Sequence, residues 1–261
     1  MPRRTKIVAT LGPATDDPSV IDSLIDAGVD VVRINLSHGS HEEHASRAEH
    51  VRNRARACGR QVGVLVDLQG PKIRCGAFSD GPVQLAEGDT FTLDVDYPID
   101  RGNREIVGCT YRELPEDLCR GDTLMVNDGK IVLWVDQVEG SKVVCKVKVG
   151  GELSDNKGIN KQGGGLSAPA LTDKDLQDIS FAADIEADYL AVSCVRTAND
   201  VIRAREMLME AGGRAAIVSK VERAEAVEAI DEIIEATDVI MVARGDLGVE
   251  IGDAELPAVQ K

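Results

Sequence analysis

Residues able to do chemistry gather in two short runs, Ile217-Val218-Ser219-Lys220-Val221-Glu222 and Met241-Val242-Ala243-Arg244-Gly245-Asp246. Each opens as an apolar run with strand character and closes in charge, just before the polar start of a helix. Residues two apart on a strand share a face, so Lys220 and Glu222 are expected to point the same way. Asp246 follows one strand-helix repeat later, and neighbouring parallel strands lie only about 5 Å apart. Two carboxylates and an ammonium can therefore converge. Such donors suit a hard divalent cation: magnesium takes one or two protein carboxylates and completes its shell with substrate oxygens and water. A solvated strand end with a surface ion pair explains one such run, but less readily two neighbouring ones.

The elements that must position these groups alternate between strand and helix. Residues 5–9 read as a strand, Asp17 as a helix cap with Pro18 at the first position, and Gly28 as the stop. A second strand is expected at 29–36. Ser40 and Glu43 have capping-box spacing for a helix reaching about residue 57, and 62–68 is a third, wholly apolar strand. After Gly70 the pattern changes to short alternating segments separated by Gly, Asp and Asn turns, with Gly163-Gly164-Gly165 and Pro169 as the return. Strand-helix alternation then resumes, with strands at 189–195, 215–221 and 239–243 and a single helix over 223–236. The division expected is a first barrel segment over 1–70, an inserted β-domain or lid over 71–167, and a second, truncated barrel segment over 168–261.

With 43% apolar residues, a 261-residue chain can bury a sizeable core. A formal charge of -15 and 3% aromatic content argue against nucleic-acid or membrane-surface binding. The cysteines at 58, 75, 109, 119, 145 and 194 form no C-x-x-C pair, which fits reduced thiols in a cytoplasmic protein. Neither a signal sequence nor a membrane-spanning run is apparent.

Six strands with crossovers fit a doubly wound sheet or a (β/α)8 barrel, and the polar residues favour the barrel. Arg33, Asn35 and Ser37 share one strand face, Asp67 ends the third strand, Lys220 and Glu222 end the fifth, and Asp246 follows the sixth. Functional groups at the carboxyl ends of several strands are the signature of the barrel.

The runs at 5–15 (TKIVATLGPAT), 32–39 (VRINLSHG), 67–74 (DLQGPKIR), 219–222 (SKVE) and 241–250 (MVARGDLGVE) resemble pyruvate kinase, in order and around the same β-insert. The resemblance implies a TIM barrel, and phosphoryl transfer from phosphoenolpyruvate to ADP giving pyruvate and ATP in a cytoplasmic homotetramer. It implies Glu222 and Asp246 as magnesium ligands, and Lys220 as transition-state stabiliser. Arg33, Lys220, Gly245 and Asp246 match substrate-binding positions. Asn35, His38, Arg74 and Lys157 match nucleotide-binding ones, and Asn35, Ser37, Asp67 and Leu68 the monovalent-cation region. Lys72 stands where potassium-dependent relatives carry Glu, which implies that potassium is not required. Cys194 departs from the Phe that relatives often place there.

Six strands are two short of a closed barrel, so the chain reads as the amino-terminal part of such an enzyme, with two sheet edges exposed. Two other readings stand beside this one: an inactive piece that only binds magnesium or ligand, and a related magnesium-dependent phosphoenolpyruvate or pyruvate lyase. His41, His44 and His50 are expected on a solvated helical turn, since His41-Glu42-Glu43-His44 lacks the zinc-binding H-E-x-x-H spacing.

Overall fold

The computed structural model describes residues 4–261. In chain order the first part runs β1 (Val8–Leu11), α1 (Pro18–Ala27), β2 (Val31–Asn35), α2 (His41–Ala57) and β3 (Gly63–Asp67). Then come β4 (Val83–Leu85), β5 (Thr90–Asp94), β6 (Ile106–Gly108), α3 (Leu114–Asp117) and β7 (Thr123–Val126). These are followed by β8 (Ile131–Glu139), β9 (Lys142–Val149), β10 (Gly151–Leu153) and β11 (Ile159–Lys161). The chain continues through α4 (Asp173–Asp184), β12 (Tyr189–Val192), α5 (Ala198–Glu210) and β13 (Ala216–Val221). The last described elements are α6 (Ala224–Glu228), α7 (Ile230–Ala236), β14 (Val239–Val242), α8 (Arg244–Ile251) and α9 (Leu256–Gln260). Two compact units result: residues 4–70, 170–220 and 229–241 form one, and 71–169, 221–228 and 242–261 the other.

In the first unit the strand order β1-β2-β3-β12-β13-β14 follows the chain, with parallel pairing from β1 through β13. The period of two sorts the side chains. Leu65, Ala191 and Val218 cluster on one face with Val31, Tyr189 and Met241, while Val32, Ile34, Val64, Val66, Leu190 and Ile217 are buried on the other. Helices supply matching stripes, Ile21 and Ile25 in α1 and Val201, Ala204 and Leu208 in α5. Burying one large apolar side chain contributes about 1.5–3 kcal/mol, against about 1 kcal/mol for a cap. The stripe therefore fixes how a helix rolls, and the cap only where it starts.

Both caps read from the sequence form. The Asp17 carboxylate accepts the Ser19 N–H at 2.9 Å, and Ser40 and Glu43 close a capping box. Strand β1, however, begins at Val8 rather than residue 5. The Ile7 carbonyl still accepts the Asp30 and Val31 N–H groups, but the Ile7 N–H is taken by the Asp30 carboxylate at 2.8 Å, with Lys6 on the same group, so a side chain replaces the ladder on the donor side. The helix expected over 223–236 is two, α6 and α7, parted at Ala229, and no local residue accounts for the break.

In the second unit, β11-β7-β8-β9-β5-β6 form one sheet and β10-β4 another. Alternation builds its core: Leu124 and Val126 of β7, Ile131, Leu133 and Val135 of β8, and Val143, Cys145 and Val147 of β9 all face inward. Asn127 and Asp128 turn the chain between β7 and β8 at positive φ, which these two residue types tolerate best after glycine. Gly163, Gly164 and Gly165 all lie at positive φ. A Cβ on Gly164 would stand 2.6 Å from a Glu225 carboxylate oxygen, so the expected return is a seat moulded to its neighbour.

Candidate active site

In the first unit, parity brings Arg33, Asp67 and Lys220 to one face, the same that carries Val31, Leu65 and Val218. Asp67, only 1% exposed, is the hub. The Arg33 guanidinium reaches its Oδ2 through Nε at 2.7 Å and through a terminal nitrogen at 2.5 Å. The Lys220 ammonium stands 3.2 Å from Oδ1, as an ion pair whose angle leaves that buried oxygen without a hydrogen bond. Neighbouring hydroxyls fix both cations. Thr10, the register partner of Arg33, accepts from its guanidinium at 3.1 Å. Ser193 accepts from Lys220 at 2.7 Å and donates to the Leu68 carbonyl at 2.8 Å. Asn35, Ser37 and Leu68 lie on the same strand ends. Asn35 Oδ1 accepts the Ser37 N–H at 3.0 Å, and His38 is exposed with its carbonyl on His44.

Glu222, two residues after Lys220, is buried in the second unit. The Ala243 N–H donates to the Val221 carbonyl at 3.1 Å, which ties the backbone just before Glu222 to the backbone just before α8. Gly245 and Asp246 occupy the exposed first turn of that helix. A Cβ on Gly245 would meet nothing within 4 Å and its φ is not left-handed, so packing does not demand glycine there. Close approach of a ligand to the helix amides would. Arg74 and Lys157 come together in the same unit: Arg74 bridges Gly158, and the Lys157 carbonyl accepts the Cys75 N–H at 2.9 Å. The Lys72 carbonyl accepts from Thr110.

Residues 2–261 match the model of the pyruvate kinase barrel domain. The chain belongs to the pyruvate kinase family. It is 55% identical to the pyruvate kinase of Haemophilus influenzae over 99% of this chain and 55% of that protein. It is 56% identical to pyruvate kinase II of Salmonella typhimurium over the same shares, and 46% identical to the pyruvate kinase of Mycobacterium tuberculosis over 100% of this chain and 55% of that protein. The chain spans about half the length of the curated relatives it matches. Its six sequential strands are those of an incomplete pyruvate kinase barrel, as the strand ends implied.

The chemistry of two carboxylates suits a hard divalent cation. Glu222 and Asp246 are two carboxylates, the number magnesium usually takes from protein, with Gly245 leaving room at the helix end. Among the described residues no cluster of three or more His, Cys, Asp and Glu is arranged as a metal cage.

Sequence reasoning passed over Thr10, Ser193, Arg223 and Glu250. Ser193 was within reach, being two residues past Ala191 and so on its face. The other omission concerns the histidines. His44 is buried, with its Nε2 2.7 Å from the His38 carbonyl, and His41 lies 2.8 Å from the buried Asp178 and stacks on Phe181. The His44 ring is part of the packing and not the solvated turn expected, because α2 turns it inward with Ala48, Val51 and Ala55, whereas the His41 side chain stays 42% exposed. None of the six cysteines is in a disulfide, and no described helix is long and apolar enough to cross a membrane.

Proposed function

We propose that the parent enzyme of this chain transfers a phosphoryl group from phosphoenolpyruvate to ADP, giving pyruvate and ATP. The observation that carries this reading is the meeting of Arg33 and Lys220 on Asp67 at the strand ends of a pyruvate kinase barrel. In phosphoryl transfer charge spreads over the migrating oxygens, so catalysis is mostly positioning and cationic stabilisation. Arg33 offers a planar fork to the phosphate, while Lys220 steadies the group in transit and the enolate left behind. Glu222 and Asp246 would hold magnesium, which when bound neutralises charge on the transferring oxygens. Gly245 supplies backbone to the substrate, and Asn35, His38, Arg74 and Lys157 attend the nucleotide. The parent is read as a cytoplasmic homotetramer, with barrel segments over 1–70 and 168–261 and an inserted β-domain over 71–167. In support of that insert, 75–168 carries its own buried core.

A coupled assay for pyruvate on the 261-residue chain and on the full-length enzyme tests the reading. Lys220→Met should lower full-length turnover at least about 100-fold. Wild-type turnover in Lys220→Met and Arg33→Met would end it.

Potassium independence belongs to the same reading. Three of the four groups assigned to a monovalent cation are already engaged: Asn35 Oδ1 by Ser37, Asp67 by Arg33 and the Leu68 carbonyl by Ser193. Ser37 is the fourth, and Lys72 replaces the Glu of potassium-dependent relatives. The full-length enzyme should turn over equally in potassium chloride and in a tetramethylammonium salt, and strong activation by potassium would refute this.

A further inference from the structure

One side-chain cluster of the second unit has no part in the roles assigned above. Glu250 lies in α8, one helical turn after Asp246, and is 3% exposed. Its Oε2 accepts the Ala224 N–H at 2.9 Å, two residues beyond Glu222. Its Oε1 takes a long 3.4 Å bond from the Asn160 amide and lies 3.8 Å from Arg223 Nε. Its own carbonyl accepts the Gly163 N–H at 3.0 Å. Arg223, 5% exposed, donates to the Leu166 carbonyl at 3.0 Å and pairs with Glu225 at 3.1 Å, while Glu225 in turn accepts the Gly165 N–H. One buried residue thus ties together the segment that carries Glu222 and the helix that carries Asp246 through its carboxylate, and the glycine return of the insert through its backbone carbonyl.

Retaining a buried carboxylate here costs desolvation, which pushes the Glu250 carboxyl above its ordinary range despite the Ala224 N–H and the Arg223 cation. A packed apolar residue would join two segments at lower cost. Directional bonds to defined atoms on both segments are what a carboxylate adds. We propose that Glu250 is a positioning residue for the divalent-cation site: by accepting the Ala224 N–H from within α8, it holds Glu222 and Asp246 at the spacing a shared ion requires. This rests on the assignment of those two residues as metal ligands.

The test is Mn2+ binding to the 261-residue chain by electron paramagnetic resonance, without substrate, alongside melting curves. Glu222→Gln should abolish binding. Glu250→Ala should weaken it about tenfold, the lower end for groups that orient metal ligands. Glu250→Gln should restore it, since the amide oxygen still accepts from Ala224, Asn160 can turn its own amide over, and Arg223 keeps Glu225. Val147→Ala, in the core of the insert, should lower the melting temperature and leave Mn2+ affinity unchanged. If Glu250→Ala does not fold, Glu250→Asp replaces it, because the shorter side chain withdraws its oxygen from Ala224, and it should weaken binding likewise. Wild-type affinity in Glu250→Ala or Glu250→Asp beside loss in Glu222→Gln overturns the positioning role alone, as does weakening in Val147→Ala equal to that in Glu250→Ala. Unchanged binding in both Glu222→Gln and Asp246→Asn overturns the ligand assignment, and the positioning role with it.

Discussion

Asp67 serves two cations with one carboxylate, and this makes it the residue with most to lose. Removing one partner of a buried ion pair costs about 3–5 kcal/mol, and here the loss would remove the carboxylate that both Arg33 and Lys220 approach. Asp67→Asn is therefore expected to lower the unfolding free energy of the first unit, read from urea denaturation, by about that amount. Stability equal to wild type would mean that Asp67 is not what holds the two cations. His44 makes a prediction of a different kind. Burial, helped by the Arg47 cation and opposed by the His38 carbonyl, lowers its pKa from 6.5. A base whose folded-state pKa is depressed contributes stability that is fully present above the unfolded value and lost as pH falls through the folded one. Urea midpoints should thus fall as the pH drops below the ordinary imidazole value of 6.5, and the fall should shrink in His44→Gln. An unchanged pH dependence in that variant would show that the ring does not titrate with folding.

At the scale of elements, legibility followed local chemistry. The Asp17 and Ser40 caps depend on side chains within three residues of the backbone they bond, and both were readable. Parity on a strand is equally local, which is why Arg33 and Asp67 were placed correctly as strand-end groups. What escaped depends on partners distant in the chain. Asp30 displaces the start of β1 from 23 residues away, and Glu250 engages Ala224 across 26. Neither has a spacing signature. The three glycines were legible as the return from the insert, but not the defined shape they take against Glu225 and Glu250. Gly164→Ala combines a strained φ of +78° with a carboxylate 2.6 Å from the new Cβ. It should lower the melting temperature of the second unit, while an alanine at the open, ordinary-φ Gly158 should do so far less. Equal melting temperatures would show that the seat yields.

For the whole molecule two tendencies oppose each other. The first unit's sheet has β1 and β14 at its margins, with Ile7, Val8 and Val239 at least 40% exposed along them. Unpaired strand edges invite pairing with other chains. A net charge of -15 keeps chains apart, but only over the Debye length, which shrinks from about 30 Å at 0.01 M salt to about 8 Å at 0.15 M. Light scattering by the 261-residue chain should therefore rise as salt is added at fixed protein concentration, and Val239→Lys should suppress the rise. Scattering indifferent to salt would show that charge is not what holds the chains apart.

On the function proposed above, the hub carboxylate would also bear on how an incoming phosphate is admitted. Arg33 and Lys220 do not wait bare for a visitor, since Asp67 already satisfies them as a resident understudy. Admission would then mean that a newcomer shares two hosts with a resident anion, and selectivity would favour newcomers carrying more negative charge than the single one already there.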